Sequence, residues 1–288
     1  MFELIVNPMA GNGAAQKSGQ EAAEILRQKK VDFVLRETAY PGHATELAQD
    51  AAARGVETVI ACGGDGTVTE VAAGLRNTKT ALGILPCGTG NDFIKVVGIP
   101  KDWRGALEHL LSHPARRVDT GLINQNLFMN ICGTGFDVMV LDYAEKAKKK
   151  VQGIWPYLWG VLCTIFTFKP FDMHIEIGTD VVMDGKFTLC AVGNGRYFGG
   201  GIPITLMADP QDQLFDIVVV DAVHRYQIPF YLPSLMKGTL YKAKLAHHYR
   251  SDRCLITSPK MRVNIDGEIK PMNRAELFCE KDALLLHW

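Results

Sequence analysis

The sequence predicts an α/β domain built on a parallel sheet, followed by a second domain that is an antiparallel β-sandwich. Up to about residue 122, apolar strand-like runs alternate with helix-like segments, which is typical of a parallel sheet covered by helices. Beyond that residue, short alternating runs separated by turns replace this pattern, as in a sandwich. We therefore place the two domains at residues 1–122 and 123–288.

The first domain follows the strand and helix alternation in order. Residues 2–6 read as a strand that stops at Asn7-Pro8, because proline disfavours helix at the residue before it. Apolar residues at helical spacing then predict the next helix, and the alternation repeats. The further predicted strands cover 31–37, 58–62 and 81–86, and the predicted helices cover 14–30, 43–54 and 68–75.

Three glycine turns follow strands of this predicted sheet. They contain Gly11-Asn12-Gly13, Gly63-Gly64-Asp65-Gly66 and Gly88-Thr89-Gly90. The carboxyl ends of parallel strands meet at one edge, which is where ligands bind in such sheets. Glycine allows bare backbone N–H groups to approach a phosphate that a β-carbon would keep away. The three turns together therefore predict a phosphate-binding edge.

Two acidic residues lie within these turns. A carboxylate beside phosphates is repulsive unless a cation or a donor stands between them, so Asp65 implies either Mg²⁺ or a hydrogen-bonded position. Asn91-Asp92 can cap the next helix, contact phosphate, or do both.

The chain contains neither a P-loop signature nor a G-x-G-x-x-G after a strand, which argues against P-loop NTPases and dinucleotide dehydrogenases.

The composition places limits on partners and compartment. Of 288 residues, 47% are hydrophobic, and Lys plus Arg equals Asp plus Glu at 31 each, so no overall field attracts nucleic acid. Seven scattered cysteines without a CxxC pair indicate reduced thiols, and no signal peptide is evident. We expect a cytoplasmic protein with no nucleic-acid partner, and any attraction to a membrane must come from a local patch.

Such a patch is a candidate around residues 146–171. The 18 residues of Val151 to Phe168 are nearly uncharged and would reach roughly 27 Å as a helix, just short of a bilayer core. Pro156 and Gln152 weaken a membrane span further, so none is expected. Lysines precede the stretch at 146 and 148–150. The segment is either a solvated helix end beside a core helix or an interfacial surface that docks on a membrane.

The second domain carries alternating runs and two acidic turns. The turn 209–214 brings carboxylates and carbonyls close together, as a hard cation prefers, and Asp266-Gly267-Glu268 follows a strand as ordinary hairpin chemistry or as a functional site. The last run, 283–288, can pack on either domain. The predicted strands cover 173–178, 186–193, 214–221, 254–257 and 261–265.

These residues resemble the diacylglycerol kinase catalytic domain in its bacterial soluble branch, which is similar to sphingosine and ceramide kinases. The resemblance covers almost the whole chain. GGDGT is shared with NAD kinases and phosphofructokinases, whereas LPxGTxNDF and the late DGE separate the lipid kinases. In order, the matching residues are Asn7-Pro8 with Gly11, Gly63 to Thr67, Leu85-Pro86 with Gly88, Thr89 and Asn91 to Phe93, Asp119-x-Gly121, and Asp266 to Glu268.

The resemblance implies roles for single residues. Glu268 corresponds to the family's proton acceptor, Asp119 to a second acid at the active site, and Asp65 is expected in the Mg²⁺ shell. Asp209, Asp212 and the carbonyl of Leu214 match a structural Mg²⁺ site, although Gln213 stands where glycine is common, and Thr69 stands where the family often has asparagine. The implied nucleotide site consists of Asn7, Pro8, Gly11, Thr38, Gly63, Gly64, Asp65, Gly66, Thr67, Val68, Thr69, Gly88, Thr89, Asn91 and Asp92.

The implied activity is transfer of the ATP γ-phosphate to a lipid hydroxyl with Mg²⁺, and diacylglycerol is the expected acceptor with phosphatidic acid the product. A sphingoid or prenol lipid and NAD stay open as acceptors, and so does a non-catalytic nucleotide-binding regulator. The lipid implies peripheral membrane contact, and residues 151–171 and 228–241 are candidates either for an apolar wall that receives the acyl tail or for docking on the membrane. A homodimer is left open.

Overall fold

The computed structural model of the chain describes residues 1–148 and 155–288. These residues form two compact units, one of Met1–Thr120 with Lys281–Trp288 and one of Gly121–Glu280. The division between the units lies close to the predicted boundary at residue 122. The C-terminal segment, for which the sequence left both domains open as packing partners, belongs to the first unit.

The C-terminal segment joins the first unit through its backbone and its apolar side chains. Leu285 and Leu286 pair in parallel with Ala81 and Leu82. Leu284 and Leu286 are fully buried. A run of leucines gains most by burial on both faces, and a parallel sheet provides that environment.

The first unit contains a parallel sheet in the order β4-β3-β1-β2. Every residue of β3 and β4, the two strands nearest the C-terminal segment, is buried. In β2, at the edge of the sheet, exposed residues are interspersed with half-buried ones. Its strands are β1 Phe2–Val6, β2 Phe33–Glu37, β3 Thr58–Gly63 and β4 Ala81–Pro86, followed by β5 Ala115–Ile123. Its helices are α1 Ala14–Gln28, α2 His43–Ala53, α3 Asp65–Leu75, α4 Asp92–Val97 and α5 Trp103–Ser112.

One helix of this unit begins earlier than predicted, and the difference matters for the site. The sequence pattern predicted a helix from Val68, but α3 begins at Asp65, directly after an extended Gly64 at φ −96° and ψ −174°. The backbone therefore turns from strand to helix within the glycine run itself. This places the N-terminus of α3 at the turn that carries the predicted phosphate contacts.

The described residues of the second unit form antiparallel strands and three α-helices. Its strands pair in antiparallel fashion, and four of them, Ile131–Gly135, Phe171–Ile177, Val181–Gly193 and Arg253–Ile265, pair in a closed ring. The elements are β6 Asn126–Phe128, β7 Ile131–Gly135, α6 Phe136–Lys148, α7 Trp155–Thr167, β8 Phe171–Ile177, β9 Val181–Gly193, β10 Tyr197–Phe198, β11 Ile202–Pro203, β12 Phe215–Asp221, α8 Ile228–Met236, β13 Ala246–Ser251, β14 Arg253–Ile265 and β15 Glu268–His287.

Two features of this unit differ from the sequence interpretation. The runs predicted as separate strands at 254–257 and 261–265 form the single strand β14, whose register with β15 shifts between Thr257 and Met261. A strand that spans such an irregularity reads in sequence as two strands, because the alternation breaks where the register shifts. The sequence also indicated few helices here, whereas α6, α7 and α8 are all present.

The apolar stretch of 151–168 contains α7. Residues 149–154, which include part of the predicted basic cluster, lie outside the described residues. Within residues 1–148 and 155–288, no helix combines the length and the apolar character needed to cross a bilayer.

Candidate active site

The predicted nucleotide residues lie where the parallel strands of the first unit end. Asn7 follows β1, and its backbone N–H donates to the carbonyl of Cys62 at 3.0 Å. Thr38 follows β2, and its N–H donates to the carbonyl of Val6 at 2.9 Å. Because these bonds continue the sheet ladder past the strands, the residues after each strand stay at the same edge of the sheet.

The first glycine turn adopts a conformation that favours glycine. Gly11, Asn12 and Gly13 have φ values of 60°, 55° and 90°, all in the left-handed region. A β-carbon on Gly11 would lie 2.2 Å from the carbonyl oxygen of Cys87, just before Gly88. The first turn therefore lies directly against the third, and this contact requires a residue without a side chain.

The second and third turns also approach each other closely through their backbones. A β-carbon on Gly88 would lie 2.5 Å from the Cα of Gly64, a distance that real β-carbons do not show. The backbone N–H of Cys87 donates to the carbonyl of Gly63 at 2.8 Å, which holds the two turns side by side. The structure thus brings together all three turns that the sequence singled out.

Hydrogen bonds from polar side chains fix the arrangement. The amide Nδ2 of Asn7 donates to the hydroxyl of Thr67 at 3.0 Å, and the Oδ1 of Asn7 accepts from the N–H of Met9 at 3.1 Å. In the third turn, the Nδ2 of Asn91 donates to the carbonyl of Gly88 at 2.8 Å. Asn7 therefore connects the first turn to the second, and Asn91 holds the third turn in shape.

Asp65 occupies the hydrogen-bonded position that was one of its two predicted alternatives. Its Oδ1 accepts from the backbone N–H of Asp92 at 2.9 Å. Burial raises the pKa of the Asp65 carboxyl above its ordinary value, and the nearby charge of Asp92 raises it further, while backbone N–H groups of the third turn oppose the rise. Asp92 itself forms an ion pair with Lys95 at 2.5 Å.

The remaining predicted nucleotide residues follow the same edge. Val68 begins the hydrogen bonding of α3, since its N–H donates to the carbonyl of Gly64 at 3.1 Å. Thr89 is exposed in the third turn, and Pro8 and Thr69 are half-buried. A β-carbon on Gly66 would meet no protein atom within 4 Å, so the space beside this residue is open. Open space beside bare backbone at a helix N-terminus suits a phosphate.

The donor set near this edge fits Mg²⁺ only as an ion carried with the nucleotide. Among residues 1–148 and 155–288, no three His, Cys, Asp or Glu side chains are grouped so that they could hold a metal ion. Mg²⁺ in kinases is bound by one or two carboxylates together with substrate phosphates and water, which does not need such a group. Asp65 and Asp92 are the carboxylates that the turns provide.

Asp119 lies in β5 and is fully buried. Its Oδ1 accepts from the backbone N–H of Asp282 at 2.8 Å. Asp282 lies in the C-terminal part of β15, which belongs to the same unit. The carboxylate of Asp119 therefore supports the return of the chain to the first unit, and its role as a second acid stays a prediction.

Glu268 and its neighbours form a separate constellation in the second unit. Asp266 and Gly267 have φ values of 47° and 100°, which form a tight hairpin turn between β14 and β15. The carboxylate of Asp266 accepts from the backbone N–H groups of Met129, Asn130 and Ile131 at 2.6, 3.0 and 2.9 Å. This anchored turn presents Glu268, whose side chain is 73% exposed and lies 3.6 Å from the ammonium of Lys270.

A buried carboxylate that the sequence analysis did not select lies beside this hairpin. Asp137 begins α6, its Oδ2 accepts from the Nδ2 of Asn264 at 3.4 Å, and its Oδ1 is a buried oxygen with no partner among the described residues. Asn264 in turn accepts from the N–H of Gly267 at 2.8 Å, which connects Asp137 to the Glu268 hairpin. Burial raises the pKa of Asp137 to about 6.

A sequence signal for Asp137 exists in the two glycines before it. A β-carbon on Gly133 would lie 2.9 Å from the Oδ2 of Asp137, and Gly135 has a φ of 121°. Glycines at these two positions make room for a carboxylate that turns inward. The pattern Gly133 to Asp137 therefore resembles the glycine turns of the first unit, but only the tertiary contacts reveal that its carboxylate is buried.

The predicted metal turn of Asp209, Asp212 and Leu214 is organised by the protein's own hydrogen bonds. The carboxylate of Asp212 accepts from the N–H of Leu214 at 3.0 Å and forms an ion pair with Arg250. Gln213 adopts a φ of 65°, the left-handed conformation for which glycine is the usual choice. A guanidinium pairs with Asp212 in this arrangement, so a Mg²⁺ ion would have to displace it to bind there, and the metal site stays a prediction.

Family models match both units of the chain. The model described as diacylglycerol kinase catalytic domain matches residues 2–123, and that described as YegS C-terminal NAD kinase beta sandwich-like domain matches residues 130–286. A parallel α/β unit with three glycine turns at one edge of its sheet and a β-sandwich unit define the class of kinases with the diacylglycerol kinase and NAD kinase fold. The chain belongs to the diacylglycerol kinase and YegS-like family of lipid kinases.

Individual relatives agree with this family. A "Diacylglycerol kinase" of Mycobacterium tuberculosis is 29% identical over 97% of this chain and 92% of its own length. A "Probable lipid kinase YegS-like" protein of Xanthomonas campestris pv. campestris is 30% identical over 99% of this chain and 95% of its own length.

Solved structures agree as well. The crystal structure of a diacylglycerol kinase from Bacillus anthracis str. Sterne superposes with a TM-score of 0.82 at 27% identity, covering 100% of this chain and 96% of that one. An NAD kinase from Archaeoglobus fulgidus in complex with ATP has a TM-score of 0.54 at 12% identity, covering 100% of this chain and 94% of that one, which shows a shared fold.

Proposed function

We propose that this chain is an ATP-dependent, Mg²⁺-dependent lipid kinase that phosphorylates diacylglycerol to phosphatidic acid. The observation that carries the proposal is the backbone contact between Gly64 and Gly88. A β-carbon on Gly88 would lie only 2.5 Å from the Cα of Gly64. Side-chain-free turns at the carboxyl edge of a parallel sheet provide N–H groups for a triphosphate. Membership of a lipid kinase family supports the same activity.

In this proposal the glycine turns bind ATP and Glu268 is the base. The lipid hydroxyl gives its proton to the carboxylate of Glu268 while its oxygen forms a bond to the γ-phosphorus, and the bond from that phosphorus to the bridging oxygen of ADP breaks. Glu268 suits this role because its anchored hairpin fixes the backbone while the side chain stays exposed. Mg²⁺ bound with the nucleotide would neutralise phosphate charge during the transfer.

An apolar cavity in the second unit supports a lipid acceptor. It lies beneath α8 and is lined by apolar side chains that include Phe136, Leu232 and Leu235. Phe136 immediately precedes Asp137 in the chain. An acyl chain gains about 0.8 kcal/mol for each CH₂ group that leaves water, which favours a lipid over a fully soluble acceptor.

The test is a transfer assay with γ-labelled ATP on mixed micelles that contain diacylglycerol, monoacylglycerol, sphingosine, ceramide or undecaprenol, with NAD as a soluble acceptor. We expect label in phosphatidic acid. Label in NAD alone would overturn the lipid assignment, and label in a sphingoid or prenol lipid would change the substrate within it. ATP binding without transfer to any acceptor would favour a non-catalytic regulator.

A matched pair of variants tests the base. Glu268→Gln should lower transfer by about a hundredfold or more while ATP binding stays close to that of the wild type. Glu276→Gln is the control, because Glu276 lies on the same strand with a side chain that is 43% exposed. Equal turnover in Glu268→Gln and the control would show that another group accepts the proton.

A further inference from the structure

One face of α7 exposes a continuous row of large apolar side chains. Trp155, Trp159, Leu162 and Phe166 follow one another at spacings of four, three and four residues, and each is between 48% and 67% exposed. This spacing places all four on a single face of the helix. Aromatic side chains of this size usually contribute to a core, so a solvent-facing row of them calls for a function.

The opposite face of α7 is fully engaged by the protein. A β-carbon on Gly160 would lie 2.4 Å from the carbonyl oxygen of Val140, so α7 packs closely on α6 through a glycine. Thr164 on the same face is fully buried and donates its hydroxyl to the carbonyl of Gly160 at 2.7 Å. The orientation of α7 is therefore fixed by its contact with α6, and this contact directs the aromatic row outward.

A second apolar group adjoins the end of this row. Arg225 donates from Nη1 to the carbonyl of Phe166 at 3.1 Å, which connects the segment before α8 to the end of α7. Tyr226 lies in that segment and Phe230 lies in the first turn of α8, and they are 67% and 80% exposed. We call the six side chains of Trp155, Trp159, Leu162, Phe166, Tyr226 and Phe230 the docking face.

The two segments that carry the docking face contain basic residues but no acidic ones. Residues 146–171 contain five Lys and no Asp or Glu, and residues 222–251 contain three Lys, two Arg and no Asp or Glu, in a chain whose charges balance overall. The exposed cations within the described part of these segments include Lys146, Lys169, Arg225, Lys237, Lys242 and Lys244. None of these six forms an ion pair with an acidic side chain within the described part of the chain.

We propose that the docking face inserts into the surface of an anionic lipid bilayer. Trp and Tyr rings favour the boundary between headgroups and acyl chains, and cations beside them are attracted to anionic headgroups. A protein partner with equal numbers of acidic and basic residues would cover the apolar row. It would not supply the excess of acidic groups that the basic residues of these two segments attract. The proposal deepens the proposed function, because a lipid substrate reaches the enzyme through the membrane, but bilayer binding itself requires no catalysis.

Binding is measured by sedimentation of the full-length chain with phosphatidylcholine vesicles, prepared with and without phosphatidylglycerol, in the absence of ATP. We expect binding only to the anionic vesicles, and weaker binding at high salt because salt screens the attraction. Brominated acyl chains should quench the fluorescence of Trp155 and Trp159, and Trp155→Phe/Trp159→Phe should remove most of that quenching. Equal binding to both vesicles, or no binding, would overturn the proposal.

Matched variants distinguish the docking face from other exposed residues. Trp159→Ser/Phe230→Ser should lose vesicle binding, whereas Val182→Ser/Phe278→Ser, at exposed apolar positions outside the docking face, should bind as the wild type does. Lys237→Gln/Lys242→Gln should weaken partitioning onto anionic vesicles by about thirtyfold, and Lys186→Gln should not. Loss of binding in both apolar pairs would argue against a specific surface.

Two further measurements keep this proposal separate from the proposed function and from self-association. Transfer to a short-chain, water-dispersed diacylglycerol should be equal in wild type and Trp159→Ser/Phe230→Ser, while transfer to the lipid in vesicles should fall in the variant. Vesicle binding without transfer to any lipid would refute the proposed function alone. A wild-type dimer that becomes a monomer in this variant, with no vesicle binding in either, would identify the docking face as an interface between two copies.

Discussion

The Oδ1 of Asp65 lies 2.9 Å from the backbone nitrogen of Asp92 and accepts its hydrogen bond. This bond connects the start of α3 to the start of α4, and thereby the second glycine turn to the third. The protein's own contacts therefore hold the predicted phosphate-binding edge in shape. A preformed edge lowers the entropic cost of ordering loops around a nucleotide.

Alanine at two glycines should have different consequences. Gly88→Ala should lower the free energy of unfolding by about 1–3 kcal/mol and weaken ATP binding, because its β-carbon would lie 2.5 Å from Gly64. Gly66→Ala should keep the melting temperature, since its β-carbon meets no protein atom within 4 Å, and should weaken ATP binding alone. Thermal unfolding and calorimetric titration with ATP measure both effects. An unchanged melting temperature for Gly88→Ala would contradict the observed contact.

The buried carboxylate of Asp119 should show two separable roles. Asp119→Ala removes the acceptor of the Asp282 N–H and should lower the free energy of unfolding by about 1–3 kcal/mol. Asp119→Asn keeps an oxygen acceptor and should retain most of the stability, so a loss of phosphoryl transfer in that variant would report chemistry. Urea unfolding and the labelled-ATP assay test this pair. If Asn is as destabilising as Ala, the negative charge itself is structural.

The stability of the second unit should depend on pH through Asp137. Folding raises the pKa of this group from 3.8 to about 6, so the folded chain holds the proton more tightly than the unfolded chain. The protonated carboxyl of Asp137 therefore contributes fully to the free energy of unfolding below the unfolded pKa. This contribution is lost as the pH rises through the folded pKa. Relative to Asp137→Asn, the wild type should lose on the order of 3 kcal/mol across this window. Parallel pH profiles of urea unfolding would contradict the prediction.

Competition between Arg250 and Mg²⁺ should be measurable at the turn of Asp209 and Asp212. Because Arg250 forms an ion pair with Asp212, an ion must displace the guanidinium before it binds there. Mg²⁺ should therefore raise the melting temperature of Arg250→Gln more than that of the wild type, and adding Asp209→Asn should abolish the difference. Identical Mg²⁺ responses in all three proteins would exclude a metal at this turn.

Much of the first unit could be predicted from local sequence. The bounds of β1 and β4 agree with the predicted runs, because an apolar strand between glycine or proline breaks carries its own start and stop signals. The glycine turns could be selected for the same reason. The pattern missed the early start of α3 at Asp65, since no sequence signal distinguishes an extended Gly64 from a loop residue.

The sequence by itself determined the alternation of the first half, the three turns and the family to which the chain belongs, because these depend on short spacings along the chain. Only the tertiary structure decided that the C-terminal segment returns to the first unit, that Asp137 is buried and that α7 turns its aromatic row outward. Each of those outcomes depends on contacts between residues far apart in sequence, such as Asp119 with Asp282 and Gly160 with Val140. Burial and orientation are properties of such contacts, and no local pattern encodes them.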